Sequence, residues 1–320
     1  MELRQLGTSE IRVSSVAMGC WPIAGITTLN ATREDSLRTL EAALESGVNF
    51  LDTAYAYGVD GESEEMIGKV IHSRRDDVVV ATKGGIHRVG KGQKLDGRPE
   101  TLCRECDESL VRLNTDRVEL YYLHAPDPDV PVAESAGAIS ELIAAGKART
   151  AGASNMTVDQ LQEFHDVCPI AAVQPHFNML QREIEGDIAP WCEAHNVSLC
   201  VYWPLMKGLL AGKLPRDHQF DPRDGRAKYP MFQGEEWQKN QDFLEDLRMV
   251  AAEANCTVAQ LVIAWTIHQP GITSALCGAK RDWQVRETAA AMNVALTERI
   301  QALIDKALKN RGPAVSRGAV

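Results

Sequence analysis

The chain has 320 residues, of which 44% are hydrophobic, 24% charged and 6% aromatic. This composition excludes disordered, collagen-like and fibrous proteins, and the length is sufficient to bury a large core. The formal net charge of −10 at pH 7 offers no clustered positive surface for a nucleic-acid backbone. We therefore expect no nucleic-acid partner.

No stretch of the sequence approaches the roughly 20 consecutive apolar residues of a membrane span. Charged residues such as Glu2, Arg4, Glu10 and Arg12 interrupt the region where a signal peptide requires an apolar run. The eight cysteines lack the Cys and His spacing of a zinc site. We expect a cytoplasmic protein with reduced thiols, no metal and no membrane partner.

Short runs rich in Val, Ile, Leu and Ala recur along the chain between polar turns. They predict eight strands, at residues 15–21, 48–52, 78–83, 118–124, 149–155, 170–174, 198–203 and 273–278. The runs lack polar alternation, which is typical of strands covered on both faces. Helical periods separate them, and such alternation of strands and helices indicates a parallel sheet.

Two further features lie outside the strand-helix repeat. Residues 3–13 predict a β-hairpin around Gly7, before the first of the eight predicted strands. The interval between residues 202 and 273 is too long for one crossover and predicts a loop (206–234) followed by two helices. Another extra helix is expected near the C-terminus, and the tail after Leu308 is too short and polar to predict a tightly enclosing loop.

Two α/β folds compete for this pattern. A doubly wound nucleotide-binding sheet would show GxGxxG after the first strand, where this chain has GCWPIAG at 19–25. Eight strand-helix units in about 300 residues favour a (β/α)8 TIM barrel. We predict that residues 1–320 form one such domain.

In a TIM barrel the active site lies at the C-terminal ends of the strands. Asp52, Lys83 and His124 end three of the predicted strands, and Tyr57 follows Asp52 closely. A nearby ammonium lowers the pKa of a tyrosine, a carboxylate holds the ammonium, and an imidazole can polarise a carbonyl oxygen. The group suits proton transfer, although each residue taken singly could equally be a structural ion pair or a core side chain.

The sequence resembles the aldo-keto reductase family from about Leu3 to Leu308. The resemblance rests on motifs in a fixed order: DTAYAYG (52–58), ATKGG (81–85), LYYLHAPD (120–127), GKARTAGASN (146–155), AVQPHFNMLQR (172–182), VYWPLMKGLLAGK (201–213) and ITSALCGAKRDWQVRET (272–288). It implies a catalytic tetrad of Asp52, Tyr57, Lys83 and His124, with Tyr57 as the general acid or base.

The resemblance also implies a nicotinamide dinucleotide that extends across the barrel mouth without a Rossmann motif. Ser154, Asn155 and Gln174 match contacts to the carboxamide, and Tyr202 matches the ring that stacks on nicotinamide. The segments that match the pyrophosphate and adenosine sites contain Trp203, Pro204, Leu205, Lys207, Gly208, Leu210, Gly278, Ala279, Lys280, Arg281, Gln284, Glu287 and Thr288.

Two positions depart from the family pattern. Trp203 stands where Ser is common, and Thr288 stands where an Asn usually faces adenine. Lys280 and Arg281 offer cations to a 2′-phosphate, so NADP(H) is favoured over NAD(H). The alternative is that both are solvated charges at the start of a helix.

The implied function is reversible hydride transfer that reduces an aldehyde or ketone, sugars included, to the alcohol. Trp21, Tyr55, His87 and the loop 84–100 are expected to line the substrate pocket. One alternative is a cofactor-binding regulatory subunit of the same fold with little turnover. Another is a metal-dependent barrel enzyme, which the missing ligand set disfavours. The sequence leaves the oligomeric state open.

Overall fold

The computed structural model describes residues 2–25, 29, 31–90 and 92–316. Within them, eight parallel strands form a closed barrel, which confirms the predicted (β/α)8 fold. With strands numbered in chain order, the barrel consists of β3 (Val16–Gly19), β4 (Phe50–Asp52), β5 (Val79–Gly84), β8 (Val118–Leu123), β9 (Ala148–Ser154), β10 (Ile170–Gln174), β11 (Ser198–Tyr202) and β12 (Ile272–Gly278). Pairing of β12 with β3 closes the barrel and places Gly278 beside Gly19.

A helix follows each barrel strand and packs on the outside. These helices are α1 (Arg33–Glu45), α2 (Glu62–Ile71), α3 (Pro99–Leu113), α4 (Val132–Ala144), α5 (Val158–Val167), α6 (Ile188–Ala194), α8 (Val258–Ile267) and α9 (Asp282–Ala290). Thr32, Thr157 and Thr257 start three of them with capping boxes, in which the threonine and the third helical residue satisfy each other's backbone N–H groups.

The N-terminal hairpin predicted from the sequence is present. It pairs β1 (Leu3–Gln5) with β2 (Arg12–Ser14) in an antiparallel ladder. Leu6 and Val13 are buried in the cluster that fills the barrel interior. The hairpin therefore closes the N-terminal end of the barrel and leaves the C-terminal end for a site.

A second hairpin was not predicted. It follows β5 within the segment treated as a loop, and it pairs β6 (Ile86–Val89) with β7 (Gly92–Leu95). The Asp96 N–H donates to the Gly85 carbonyl at 3.0 Å, and the Gly97 N–H donates to Asp127 Oδ2 at 2.9 Å. These bonds fix the base of the hairpin at the C-terminal end of the barrel.

The insertion after β11 contains short 3₁₀ segments, including Met206–Ala211 and Pro230–Phe232, and then α7 (Gly234–Glu253). Helix α7 packs against the last helix, α10 (Glu298–Arg311). The two helices expected in the insertion, α7 and α8, and the extra helix expected near the C-terminus, α10, are all present. In the described part of the chain, no single helix has the length and apolarity to cross a membrane. Only α7 and α8 together meet that test, and they are bent by 86°.

The core has two layers. Leu40, Ile139 and Leu261 belong to the outer layer, between the strands and the helices. Phe50, Ala81, Leu120, Tyr122, Ala172 and Cys200 belong to the inner layer, inside the barrel. Both faces of the strands are thus covered, as the absence of polar alternation in the sequence predicted.

Candidate active site

The candidate site continues the inner layer of the core toward the C-terminal end of the barrel. Side chains two residues apart on a strand share one face, so the residue two positions after an inner-layer residue points to the same side. At the ends of five strands that residue is polar or aromatic: Asp52 is two positions after Phe50, Lys83 after Ala81, His124 after Tyr122, Gln174 after Ala172 and Tyr202 after Cys200. Strand periodicity therefore brings these five residues to one mouth.

Lys83 is the centre of the site and is fully buried. Its ammonium donates to Asp52 Oδ1 at 2.6 Å and to the Thr53 carbonyl at 2.7 Å. Gln174 Nε2 donates to the other oxygen of Asp52 at 2.7 Å. Burial lowers the pKa of Lys83, but Asp52 and Tyr57 outweigh burial, so the net pKa lies above its usual value. Lys83 is a cation held in one position.

Tyr57 lies over this cation. The Tyr57 side chain is half-buried, and its ring centroid lies 4.9 Å from Lys83 Nζ. The ring packs edge-on against the rings of Trp21 and His124, with centroid-to-centroid distances of 5.0 Å and 5.9 Å. The sequence led us to expect a lowered pKa for Tyr57. Burial instead raises the pKa above its usual value, although Lys83 opposes that rise. Desolvation of the phenolate is the larger effect, so Tyr57 is a protonated phenol at neutral pH.

His124 completes the tetrad. Burial, and secondarily the charge of Lys83, lowers the pKa of His124 well below its usual value, so the imidazole is neutral. Its Nδ1 atom is buried and has no hydrogen-bond partner among the described residues. A neutral imidazole has one N–H donor and one acceptor nitrogen, so His124, which lies beside Tyr57, can hydrogen-bond a polar atom of a ligand.

A second polar patch adjoins the tetrad at the ends of β9, β10 and β11. Asn155 Nδ2 donates to the His124 carbonyl and to Ser154 Oγ, each at 3.0 Å. The Tyr202 hydroxyl donates to Asn155 Oδ1 at 2.9 Å. Ser154 Oγ donates to the Gln174 carbonyl at 2.9 Å. The four residues matched to a nicotinamide site are therefore in contact with one another and with the tetrad.

Asn155 and Tyr202 also line a cavity of about 320 Å³. Ser316 of the C-terminal tail contributes to the same lining, and Gln181 Nε2 donates to the Val315 carbonyl at 3.1 Å. The tail thus comes nearer to the mouth than its short, polar sequence suggested.

The segment after Tyr202 has an unusual backbone. Trp203 and Lys207 both have positive φ angles, 59° and 55°, and Gly208 follows at 88°. The Lys207 ammonium lies 3.7 Å from the centroid of the Trp203 ring and 4.5 Å from that of Tyr229. Trp203, which replaces the common Ser, therefore packs against Lys207. Pro204 and Leu210 are buried beneath this turn, and Leu205 is half-buried.

The segment matched to the adenosine end links β12 to α9. Gly278 lies so close to Pro22 that a Cβ would come within 2.8 Å of its ring, and Ala279 is buried. The Lys280 N–H donates to Gln284 Oε1 at 2.9 Å. Arg281 Nη1 donates to Asp35 Oδ2 at 2.7 Å. Arg281 is thus engaged by a carboxylate of α1, and sequence reasoning missed that partner.

Two other residues of this segment are also engaged within the protein. Glu287 pairs with Lys213. Thr288 is buried, and its hydroxyl donates to the Val285 carbonyl of the same helix at 3.2 Å. Thr288 therefore offers its hydroxyl to its own helix rather than to a base, which agrees with its departure from the family's Asn.

The three residues expected in the substrate pocket have different surroundings. Trp21 packs against Tyr57, beside the tetrad. The Tyr55 hydroxyl instead donates to Glu108 Oε2 of α3 at 2.6 Å, and the Arg112 guanidinium lies 4.4 Å from the ring centroid. Tyr55 thus packs toward α3, so its contacts do not support the predicted role as a pocket residue.

His87 lies on β6, and a buried residue that the sequence analysis missed holds it in place. Its Nδ1 is 3.1 Å from Glu105 Oε1, and the other oxygen of Glu105 accepts the Gly85 N–H at 2.8 Å. The available signal was an acidic residue on the apolar face of α3, between Leu102 and Ser109. Tyr229, which contacts Lys207 and was also missed, lies in the insertion, and no sequence pattern marked it.

Comparison with known proteins identifies the family. The family model described as the aldo/keto reductase family matches residues 15–309. The chain is an aldo-keto reductase. Members of this family are oxidoreductases that use nicotinamide cofactors and act on small-molecule carbonyl substrates.

Named relatives of this aldo-keto reductase cover nearly its whole length. It is 32% identical to aldo-keto reductase YhdN of Bacillus subtilis over 97% of this chain and 94% of the relative. It is 34% identical to the NADH-specific methylglyoxal reductase of Escherichia coli over 92% of this chain and 94% of the relative. Among solved structures, the glycerol dehydrogenase AKR11B4 of Gluconobacter oxydans superposes with a TM-score of 0.90 at 33% identity, covering 99% of this chain and 98% of that one.

Proposed function

We propose that this aldo-keto reductase is an NADP(H)-dependent enzyme that reduces an aldehyde or ketone, sugars included, to the alcohol, with Tyr57 as general acid. The observation that carries the proposal is the position of the Tyr57 ring over the buried Lys83 ammonium, beside the neutral imidazole of His124. A phenol that stays protonated at neutral pH is the form that a general acid requires.

In this mechanism the Tyr57 hydroxyl donates its proton to the carbonyl oxygen of the substrate, where negative charge develops. The Lys83 ammonium stabilises the phenolate that remains, and the Asp52 carboxylate keeps that ammonium in place. His124 hydrogen-bonds the same oxygen through its imidazole. In the oxidative direction the Tyr57 phenolate takes the proton from the alcohol.

When bound, the nicotinamide dinucleotide supplies or accepts the hydride. The proposed site suits it chemically, because amide and hydroxyl groups of Ser154, Asn155 and Gln174 meet beside the aromatic ring of Tyr202. Those groups would hold the carboxamide and the ring. Lys207 and Gly208 would lie along the pyrophosphate, and Lys280 and Arg281 would bind the 2′-phosphate.

The test is a panel of aldehydes, ketones and sugars, assayed by nicotinamide absorbance with NADPH and with NADH. We expect turnover that Tyr57→Phe reduces by about 10² to 10⁴, the usual contribution of a general acid. Binding of NADPH with no turnover on any member of the panel would favour the regulatory-subunit alternative. Near wild-type turnover of Tyr57→Phe would refute the role of Tyr57.

The preference for NADPH has its own test. Replacing Lys280 and Arg281 by Ala should weaken NADPH binding by about a hundredfold or more, since each of the two charge-assisted contacts contributes on the order of 1.5 to 2 kcal/mol. NADH binding should change little. Arg286→Ala is the matched control, because Arg286 is on α9, the helix that directly follows Lys280 and Arg281, and its exposed side chain pairs with Glu45 at 2.7 Å. Equal losses for both dinucleotides would refute the preference.

Three broader features belong to the same proposal. Trp21 and His87 would contact the substrate, the first beside Tyr57 and the second from the β6–β7 hairpin. Residues 1–320 would act as one catalytic domain. The enzyme would work in the cytoplasm, where its eight free cysteines would stay reduced.

A further inference from the structure

The Arg281 guanidinium, which belongs to the proposed 2′-phosphate site, also contacts helix α1. Its Nη1 donates to Asp35 Oδ2 at 2.7 Å, which joins the first turn of α1 to the start of α9. The Asp35 side chain is 14% exposed and that of Arg281 is 32% exposed. A phosphate that approached Arg281 would therefore meet a carboxylate already bound to it.

Asp35 is a fixed anion. As the third residue of α1 it completes the capping box, and Oδ2 accepts the Thr32 N–H at 3.0 Å and the Thr32 hydroxyl at 2.8 Å. Its other oxygen accepts Arg38 Nη2 at 2.6 Å. The hydrogen bonds from Thr32, with help from Arg281 and Arg38, lower the pKa of Asp35 to about 2. The carboxylate stays charged and stays in place throughout the neutral range.

We propose that Asp35 is a specificity-determining residue that shifts the balance from NADPH toward NADH by competing with the 2′-phosphate for Arg281. This inference rests on the proposed dinucleotide function. A guanidinium has five N–H donors and can serve two acceptors at once, so Asp35 weakens the phosphate contact without abolishing it. The carboxylate also repels a phosphate on the same guanidinium.

NADH meets no such opposition, because it carries a ribose 2′-hydroxyl in place of the phosphate. A hydroxyl can donate to a carboxylate, and an acidic side chain accepts this hydroxyl in NAD sites of other folds. Asp35 therefore penalises one cofactor and is neutral or favourable to the other. In this proposal Lys280 and Arg281 favour NADPH, and Asp35 limits the preference for NADPH that they create.

The test replaces Asp35 by Asn, which removes the charge and keeps an oxygen that can accept the Thr32 N–H. Dissociation constants for NADPH and NADH are measured by calorimetry on the wild type and the variant. We expect Asp35→Asn to tighten NADPH binding about two- to fivefold, as expected for an ion pair near the surface, and to change NADH binding less than about twofold. In an Arg281→Ala background the gain for NADPH should shrink.

Glu34→Gln is the matched control. Glu34 is the neighbouring carboxylate, pairs with Arg38 at 2.6 Å and is 79% exposed, so the variant changes net charge equally. A ratio of NADPH to NADH affinity that is unchanged in Asp35→Asn, or moves as far in Glu34→Gln, would overturn the inference. If Asp35→Asn weakened the binding of both cofactors equally and lowered the thermal midpoint, the Asp35–Arg281 pair would serve only to hold α1 against the start of α9, and the inference would be wrong. A wild type that binds neither dinucleotide would instead refute the proposed function.

Discussion

Lys83→Met is the most informative perturbation of the site. Methionine retains much of the volume of the lysine stem but removes the ammonium, which is fully buried and 2.6 Å from Asp52. The substitution therefore leaves the Asp52 carboxylate, itself 3% exposed, with Gln174 as its remaining side-chain partner. Both the stability of the protein and its catalysis should respond, for separable reasons.

The cost in stability follows from the burial of the pair. Breaking a buried ion pair by removing one partner costs about 3 to 5 kcal/mol, because the remaining charge is uncompensated. With an unfolding entropy of about 2.1 cal/mol/K per residue, each kcal/mol lowers the thermal midpoint of a chain of this length by roughly 1.5 °C, so the midpoint should fall by about 4 to 8 °C. Turnover should fall as well, because no cation remains to stabilise the Tyr57 phenolate.

The assay combines thermal unfolding by circular dichroism with initial rates on the best substrate of the panel. Lys69→Met, at an exposed lysine of α2, is the control for loss of a surface charge. The double variant Lys83→Met/Asp52→Asn removes the orphaned charge, so it should regain at least half of the lost stability while remaining inactive. A midpoint within about 2 °C of the wild type for Lys83→Met, or normal turnover, would refute this reasoning.

Three further predictions follow from the same structure. Because burial raises the pKa of Tyr57, the rate of carbonyl reduction should be constant through neutral pH and fall only in the alkaline range, where the phenol deprotonates. A reduction rate that rises toward high pH would contradict this prediction. Glu105→Ala should raise KM more than it lowers kcat, because it releases His87, and Glu105→Gln should restore KM; steady-state kinetics on both variants decides this. Gly152→Ala would place a Cβ 2.3 Å from the Tyr122 ring inside the barrel and should lower the free energy of unfolding, measured by thermal unfolding, by about 1 to 3 kcal/mol or more. In the control variant Gly137→Ala the added Cβ meets nothing within 4 Å, so its effect on the free energy of unfolding should be neutral or stabilising.

The barrel was predictable because its strands carry a strong and repeated signal. The strand predicted at 170–174 has the observed bounds, and the one predicted at 118–124 ends one residue later than the observed strand. The β6–β7 hairpin carried no such signal. Its second strand, Gly92–Leu95, is exposed along its whole length, so no apolar alternation marks it.

The tetrad was predictable for a related reason, since parallel strands bring their C-terminal ends together and strand alternation points Asp52 and Lys83 inward. Strand alternation predicts the direction of a side chain only within the strand. Tyr55 lies in the loop after β4, where alternation no longer fixes direction, and its hydroxyl contacts Glu108. The net pKa of Tyr57 was beyond the sequence too, because the cost of desolvation depends on packing that only the fold reveals.

Buried carboxylates show most clearly what a sequence can and cannot specify. An unpaired buried carboxylate is so costly that an acidic residue on an apolar face predicts a donor opposite it. Glu105 illustrates the rule, because both of its oxygens have partners, in Gly85 and His87. The identity of the partner is a property of the fold, since His87 lies on an unpredicted hairpin. The same holds for the half-buried Asp35, which meets Arg281 across 246 residues of sequence. Only the partner of Asp52 could be inferred, because Asp52 and Lys83 end adjacent strands of one parallel barrel.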